Sequence, residues 1–229
     1  MSRPRALLSW SSGKDSAWAL HVLRQQGDVE VVGLLTTFNQ KFARVAMHGV
    51  RDQLARQQAR AVGLPLLAVQ LPWPCPNEAY EAAMSQGLAR ARADGVTHIA
   101  FGDLFLEDIR AYREERMAAA GMTPLFPVWG LDTAQLAQDM VESGTRATVV
   151  CVDPKQLDSR FCGRTFDISL LRELPEGVDP CGERGEFHTF VSDGPAFAWP
   201  VPVTRGQVVE RDGFVFADLL LDHSPPEPV

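Results

Sequence analysis

Nothing in this chain approaches the roughly 18 consecutive apolar residues that a membrane-spanning helix requires, so insertion as an integral membrane protein is excluded. The start, Met-Ser-Arg-Pro-Arg followed by Ala6, Leu7 and Leu8, carries positive charge on too short an apolar run for a secretory signal, and a cytoplasmic location is expected. Cysteine is sparse. The four thiols (Cys75, Cys151, Cys162, Cys181) are far apart, include no CxxC pair, and none of the five histidines stands at a zinc-ligand spacing from them. A disulfide framework and a structural zinc site are both disfavoured. Positive charge is also short: 22 Lys and Arg against 29 Asp and Glu leave a net charge of −7. Broad, non-specific nucleic-acid binding is not expected of such a surface. What is present is ordinary: 229 residues, 45% apolar and 22% charged, the profile of a globular protein with a sizeable core.

Short apolar runs alternate with helical patterns through the first half. Residues 6–10 read as a buried strand, 16–26 as a helix, and 29–38 (VEVVGLLTTF) as a strand apolar enough to be buried on both faces. Further along, 50–62 is helical and closed by Gly63, 66–71 is a strand, 77–93 a helix and 97–102 (THIAFG) a strand. A helix over 108–120, closed by Gly121, and a short strand over 123–127 follow. This alternation predicts an α/β fold with a doubly wound, mostly parallel sheet. After residue 130 the pattern changes to one helix (132–143), one strand (147–152), and then glycine- and proline-rich turns over 174–185 and 192–202. The expected division is a nucleotide-binding part over 1–130, a smaller α+β part over 131–223 read as short strands and loops, and a disordered tail over 224–229.

The most informative segment is Leu8-Ser9-Trp10-Ser11-Ser12-Gly13-Lys14-Asp15-Ser16. An apolar strand runs into a small-residue turn, and a helix begins at once with Ala17, Trp18, Ala19 and Leu20. Such a turn aims unpaired N–H groups at one point with the positive end of the helix dipole behind them. Ser11, Ser12 and Ser16 add hydroxyls, Gly13 permits close approach, and Lys14 adds charge, which suits a pyrophosphate. It is not a Walker loop, because the position five before Gly-Lys is Leu8 rather than glycine. The competing reading is an ordinary turn with Ser12 or Asp15 as a helix cap.

The SxGKDS segment resembles the loop of the ATP pyrophosphatases, which hold the β,γ-pyrophosphate and cleave ATP between the α and β phosphates. Three further segments extend the likeness: Met47-His48-Gly49-Val50 with the helix after it to Gly63-Leu64-Pro65-Leu66; Phe101-Gly102-Asp103 through the charged helix to Pro127-Val128-Trp129-Gly130; and Gly182-Glu183-Arg184-Gly185-Glu186-Phe187-His188-Thr189. Together they resemble the diphthine–ammonia ligase family over nearly the whole chain. That resemblance implies a fold of the adenine nucleotide alpha hydrolase type, with a smaller C-terminal part closing over the site. The commoner family form has glycine where Ser12 stands. The family's named reaction amidates diphthine, a modified histidine of elongation factor 2 in archaea and eukaryotes.

Thr36 and Thr37 end the second strand, and Gly102 and Asp103 the fourth, both at the rim where open α/β sheets bind ligands. The resemblance puts adenine or ribose near Thr36; Asp103 is read as orienting Mg²⁺ or ribose, or as a plain helix cap. Arg110 and Arg113 share a helix face suited to an anionic substrate, although Arg110 and Glu114, four apart, also suit a solvated, salt-bridged face. His48 and Thr189 are raised to substrate contacts by the resemblance alone. Glu183 and Glu186, in a glycine-flanked loop, could bind Mg²⁺, position ammonia or act as a base, or form an exposed acidic turn. Cys181 is read as packing. The expectation is therefore an ATP-dependent amidating ligase that forms an adenylate, using ATP, Mg²⁺, an amine or ammonia, and an acceptor carboxylate on a protein or small molecule, with a homodimer allowed. Lys14, Asp15, Ser16, Glu183 and Glu186 are the expected catalytic set. A tRNA-modifying enzyme of the same loop class and a nucleotide sensor without turnover stand as alternatives.

Overall fold

The computed structural model describes residues 3–45 and 49–222. His48, Met47 and the tail expected to be disordered lie outside the described residues. The first sheet is built from β1 (Arg5–Ser9), β2 (Glu30–Asn39), β3 (Arg44–Val45), β4 (Leu66–Leu71), β5 (His98–Ala100) and β6 (Thr123–Leu125). Its parallel strands run β4-β2-β1-β5-β6, with β3 antiparallel on the far end of β2. Between them come α1 (Lys14–Gln26), α2 (Asp52–Ala61), α3 (Asn77–Ala93) and α4 (Glu107–Ala119). This is the doubly wound order, whose winding reverses between β1 and β5. The crevice at that reversal is where the Ser11–Ser16 turn emerges.

Burial explains why these segments fold as they do. Ala6, Leu7 and Leu8 are buried because β1 is central, and an apolar run suits a strand covered on both faces. Helix α1 stops at Gly27, whose left-handed φ of 68° lets its N–H reach the Leu23 carbonyl at 3.0 Å. Observed boundaries differ from the expected ones by at most two residues, and Leu66–Leu71 and Asn77–Ala93 coincide with the expected strand and helix.

The second half forms the expected smaller α+β part, with longer strands than the sequence suggested. After α5 (Thr133–Glu142), whose N-cap Asp132 accepts from the Gln135 N–H at 2.8 Å, the chain forms a four-stranded antiparallel sheet in the order β8-β7-β10-β9. Its strands are β7 (Arg146–Val152), β8 (Phe187–Asp193), β9 (Val203–Arg211) and β10 (Phe214–Leu221), with α6 (Ile168–Glu173) in the β7–β8 connection. Strands β9 and β10 are nine and eight residues long rather than short. They are joined by Asp212-Gly213, both at positive φ (52° and 81°), a two-residue hairpin signal that the turn-rich reading passed over.

The two sheets share their core. One apolar cluster combines Leu8, Leu20 and Ala100 of the first half with Val149, Phe166 and Phe187 of the second. Another joins Phe38 and Leu54 to Val150, Phe190 and Leu219. A third, under α3 and α4, contains Leu35, Leu88, Ile99 and Met117. Among the described residues no helix is long and apolar enough to cross a membrane.

Candidate functional site

The turn between β1 and α1 is held from several directions. Ser12 takes a left-handed φ of 74°, a conformation that costs an L-residue roughly 1–2 kcal/mol. Its hydroxyl is fully buried and has no hydrogen-bond partner among the described residues. Gly13, in extended conformation, occupies the N-cap, so neither Ser12 nor Asp15 caps the helix. Ser16 Oγ donates to the Gly13 carbonyl at 2.9 Å and lies 3.2 Å from Ser11 Oγ. Two of the N–H groups expected to point freely at a ligand are already engaged: that of Gly13 by Ser11 Oγ (3.3 Å) and that of Lys14 by Thr189 Oγ1 (3.1 Å). Thr189, expected to touch substrate, therefore braces the turn itself.

A glycine at position 12 would remove both the strain and the unpartnered hydroxyl. Ser12→Gly is expected to stabilise the protein by about 1 kcal/mol, roughly 2–4 °C in Tm for a chain of this size. An unchanged melting temperature would show that the turn stores no strain.

A lysine directly after a turn of small polar residues is ordinarily exposed; Lys14 is buried instead. It is 2% exposed, with Nζ 2.9 Å from Asp15 Oδ2, bonded also to the Cys181 carbonyl and lying over the Phe166 and Phe187 rings at 5.5 and 5.4 Å. Burial works most strongly against the ammonium, but the groups around it, Asp15 foremost with Cys181 and Asp179, together outweigh burial and hold the lysine above its ordinary value. The chain meets this need only in three dimensions: Cys181 comes from the loop before β8, and Phe166 from the segment before α6.

The Glu183–Glu186 loop reaches the same place through one of its two acids. Glu183 Oε1 accepts from the Leu104 N–H at 2.7 Å, just beyond the end of β5. Desolvation raises its carboxyl to about 7, with Asp15 and Asp103 adding to the shift. Glu186 turns inward. Its carboxylate is buried and accepts from the Asp179 and Arg184 N–H groups, both at 2.9 Å, so it staples its own loop rather than facing the crevice. The acids do not act as a matched pair, because backbone donors of the tight turn claim one of them.

The Glu183 value sets a pH dependence. Its folded-state pKa lies above the ordinary 4.5, so the native protein holds a proton that the unfolded chain has lost between about pH 4.5 and 7. The stabilisation is complete below that window and is lost as pH rises through about 7. Urea midpoints measured across the window should fall with pH in the parent and fall less in Glu183→Gln. Equal slopes would remove Glu183 from the account.

Gly102 lies against the helix start. A Cβ there would sit 3.0 Å from the Asp15 carbonyl carbon and 3.1 Å from the Ser16 nitrogen, so only glycine lets the end of β5 meet the turn this closely. Asp103 is no helix cap, since α4 is capped by Leu106. Its Oδ2 lies 3.5 Å from Arg113 Nε, and burial raises its pKa. The residues do not fit a protein cage for Mg²⁺: among the described residues no three acids, histidines or cysteines converge on one point, and Asp103 already faces a guanidinium.

Beside the turn, on the α3 and α4 face, lies a cavity of about 350 Å³. Trp10, Ser11, Thr37, Tyr80, Phe101 and Arg113 line it. Thr36 does not. Strand alternation turns it inward, where its hydroxyl donates to the Trp10 carbonyl at 2.8 Å, and Thr37 takes the cavity face. Arg113 reaches the cavity while stacked 4.8 Å from the Phe101 ring; Arg110 pairs with Glu114 at 2.8 Å and covers Phe126 and Trp129 instead.

Sequence reasoning missed Gln58 altogether. It is fully buried in α2: Nε2 donates to the carbonyls of Ser12 (3.0 Å) and Val191 (2.6 Å), and Oε1 accepts from Trp10 Nε1 at 2.9 Å. A helical glutamine looks like a solvent-facing residue in sequence. The available signal was its place on the Leu54, Ala55, Ala59 face.

Two family models match the chain, one described as the diphthamide synthase N-terminal domain over residues 4–124 and one as the diphthamide synthase C-terminal domain over residues 132–216. Diphthine–ammonia ligases of Bos taurus and Homo sapiens are each 31% identical over 118 residues, covering 49% of this chain and 44% of theirs. That of Danio rerio is 32% identical over 118 residues and 46% of its length. The match thus spans less than half the length of these curated relatives.

Proposed function

This chain belongs to the diphthamide synthase family, and from that premise we propose that it is an ATP-dependent ligase of the adenylate-forming kind. An acceptor carboxylate attacks the α-phosphorus of ATP, the bond to the β,γ-pyrophosphate breaks, and an amine or ammonia then displaces AMP to leave an amide. The carrying observation is the strained turn at Ser12, set at the winding reversal of the sheet beside a cavity of nucleoside size. In this reading Ser11, Ser12, Gly13 and Ser16 receive the pyrophosphate. The adenosine lies along Trp10, Thr37 and Phe101, with Arg113 countering phosphate charge. Residues 1–130 supply the nucleotide half, and 131–223 supply Thr189 and Glu183 from across the crevice.

Glu183 is the residue suited to proton transfer, because a carboxyl that titrates at about 7 is present in both forms at neutral pH. It would take a proton from the attacking amine. Lys14 neutralises charge on the leaving pyrophosphate once its ammonium is released from Asp15, which is electrostatic catalysis. A second reading, nucleotide binding without turnover, is favoured by one observation: that ammonium is already satisfied within the protein. Incubation with α-labelled ATP separates the two. Label appearing in AMP supports the ligase, label staying in ATP supports the sensor, and label in ADP overturns both the adenylate chemistry and the pyrophosphate cradle.

A further inference from the structure

Three donors stand where the β1–α1 turn meets the end of β5, and they are the groups an arriving anion would use. They are the Lys14 N–H, the Lys14 ammonium and the Leu104 N–H. The first heads α1, where an N–H has no partner inside the helix. All three are already taken, and by one stretch of the second half. Thr189 Oγ1 accepts from the Lys14 N–H at 3.1 Å, the Cys181 carbonyl from the ammonium, and Glu183 Oε1 from the Leu104 N–H at 2.7 Å. A hydroxyl, a carbonyl and a carboxylate thus hold donors that would otherwise meet phosphate oxygens.

Two of these oxygens belong to a stiff piece of chain. Besides the two N–H groups that Glu186 holds, Asp179 accepts from the Glu183 N–H through its carboxylate (2.9 Å) and from the Gly182 N–H through its carbonyl (2.8 Å). Stapled to itself in this way, the 179–186 loop can move as a unit. It rests on the first half through Cys181 on Lys14, Glu183 on Leu104 and Arg184 over the Phe105 ring at 5.3 Å. The Cys181 thiol is 1% exposed and donates to the Thr133 carbonyl at 3.5 Å.

Charge works against this arrangement once phosphates enter. Burial foremost, with the charges of Asp15 and Asp103, already holds the Glu183 carboxyl high. A polyphosphate adds like charge to the same poorly solvated crevice and at the same time offers Lys14 a better partner than a carbonyl.

We propose that Cys181, Glu183 and Thr189 form an internal latch: their oxygens occupy the anion donors of the free protein, and the phosphates of a nucleotide displace them and loosen the 179–186 loop from the crevice. The latch rests on the nucleotide reading above and adds regulation to it. It lowers affinity in the free protein and makes the position of the loop report whether the site is filled.

The probe is α,β-methylene-ATP, which cannot be split between the α and β phosphates, added to the whole chain. Alkylation of Cys181 by iodoacetamide, located by mass spectrometry, should speed up at saturation, while the buried Cys151 and Cys162 keep their rates. Thr189→Val keeps the shape but leaves the Lys14 N–H an orphan until a phosphate oxygen meets it. It should melt lower without nucleotide and bind the analogue about tenfold more tightly, and Thr189→Ser should restore parental behaviour. Unchanged or slower Cys181 alkylation at saturation, or equal or weaker binding by a folded Thr189→Val protein, would overturn the latch and leave the nucleotide site standing. If Thr189→Val does not fold, the Cys181 rates in the parent decide. No calorimetric binding of the analogue or of pyrophosphate to either protein would overturn the nucleotide reading and the latch with it.

Discussion

Lys14→Ala is expected to abolish AMP release and to destabilise the protein at the same time. The rate should fall by at least 10²–10³-fold, about the loss seen when one preorganised electrostatic group is removed from a developing charge. The stability loss follows from the cage. Removing one partner of a fully buried ion pair costs roughly 3–5 kcal/mol; Asp15 keeps 26% exposure and can recover some hydration, so about 2–3 kcal/mol is expected. Cys181 would lose the donor on its carbonyl, and the Phe166 and Phe187 rings their cation. Lys14→Met separates the two effects: it refills the volume between the rings and should recover part of the stability and none of the rate. The measurements are initial rates of AMP formation and urea midpoints for the three proteins. A Lys14→Ala protein as stable as the parent would contradict the cage, and one with parental rate would remove Lys14 from the chemistry.

Gln58→Leu should produce the largest stability change of any single substitution outside the apolar core. Leucine has nearly the same volume but leaves the Trp10 indole N–H and the Val191 carbonyl without partners. Each buried orphan costs about 1–3 kcal/mol, so a total near 3 kcal/mol is expected, a fall in Tm on the order of 6–12 °C. Ser12 suffers less, since its carbonyl still accepts from the Val191 N–H at 3.0 Å. Because Trp10 lines the nucleoside-sized cavity and Ser12 the phosphate turn, ATP affinity should fall as well. Thermal melts with and without ATP measure both effects. A small shift in Tm with unchanged ATP affinity would show that Gln58 merely fills space.

The first half was legible because its signals are local. A buried strand, a glycine-containing turn and an immediate helix specify the β1–α1 junction within sixteen residues, and the strand–helix alternation specifies the parallel sheet. The site residues that misled did so through long-range effects. Lys14 looks solvent-facing beside Asp15 and Ser16; its burial depends on the Cys181 carbonyl, 167 positions away in the chain. Thr36 and Thr37 differ only in strand face, and a one-residue shift exchanges the two faces. Glu183 and Glu186 are equivalent in sequence, and the turn's own N–H groups decide which remains available. The antiparallel sheet escaped because the pairing of β7 with β8 and β10 bridges long, turn-rich connections whose composition carries no register.

The shared apolar clusters bear on how this chain can be divided. The family models part between residues 124 and 132, a natural place to cut the gene. A cut there would bare Leu8, Leu20 and Ala100 on one fragment and Val149, Phe166 and Phe187 on the other. Neither piece could hide that surface alone. Co-expressed, the fragments should reassemble around Val191 N–H and Ser12 O, and nucleotide binding would return only on reassembly. The same surface that prevents independent folding thus makes the protein a ready split reporter, with the β1–α1 turn as its readout.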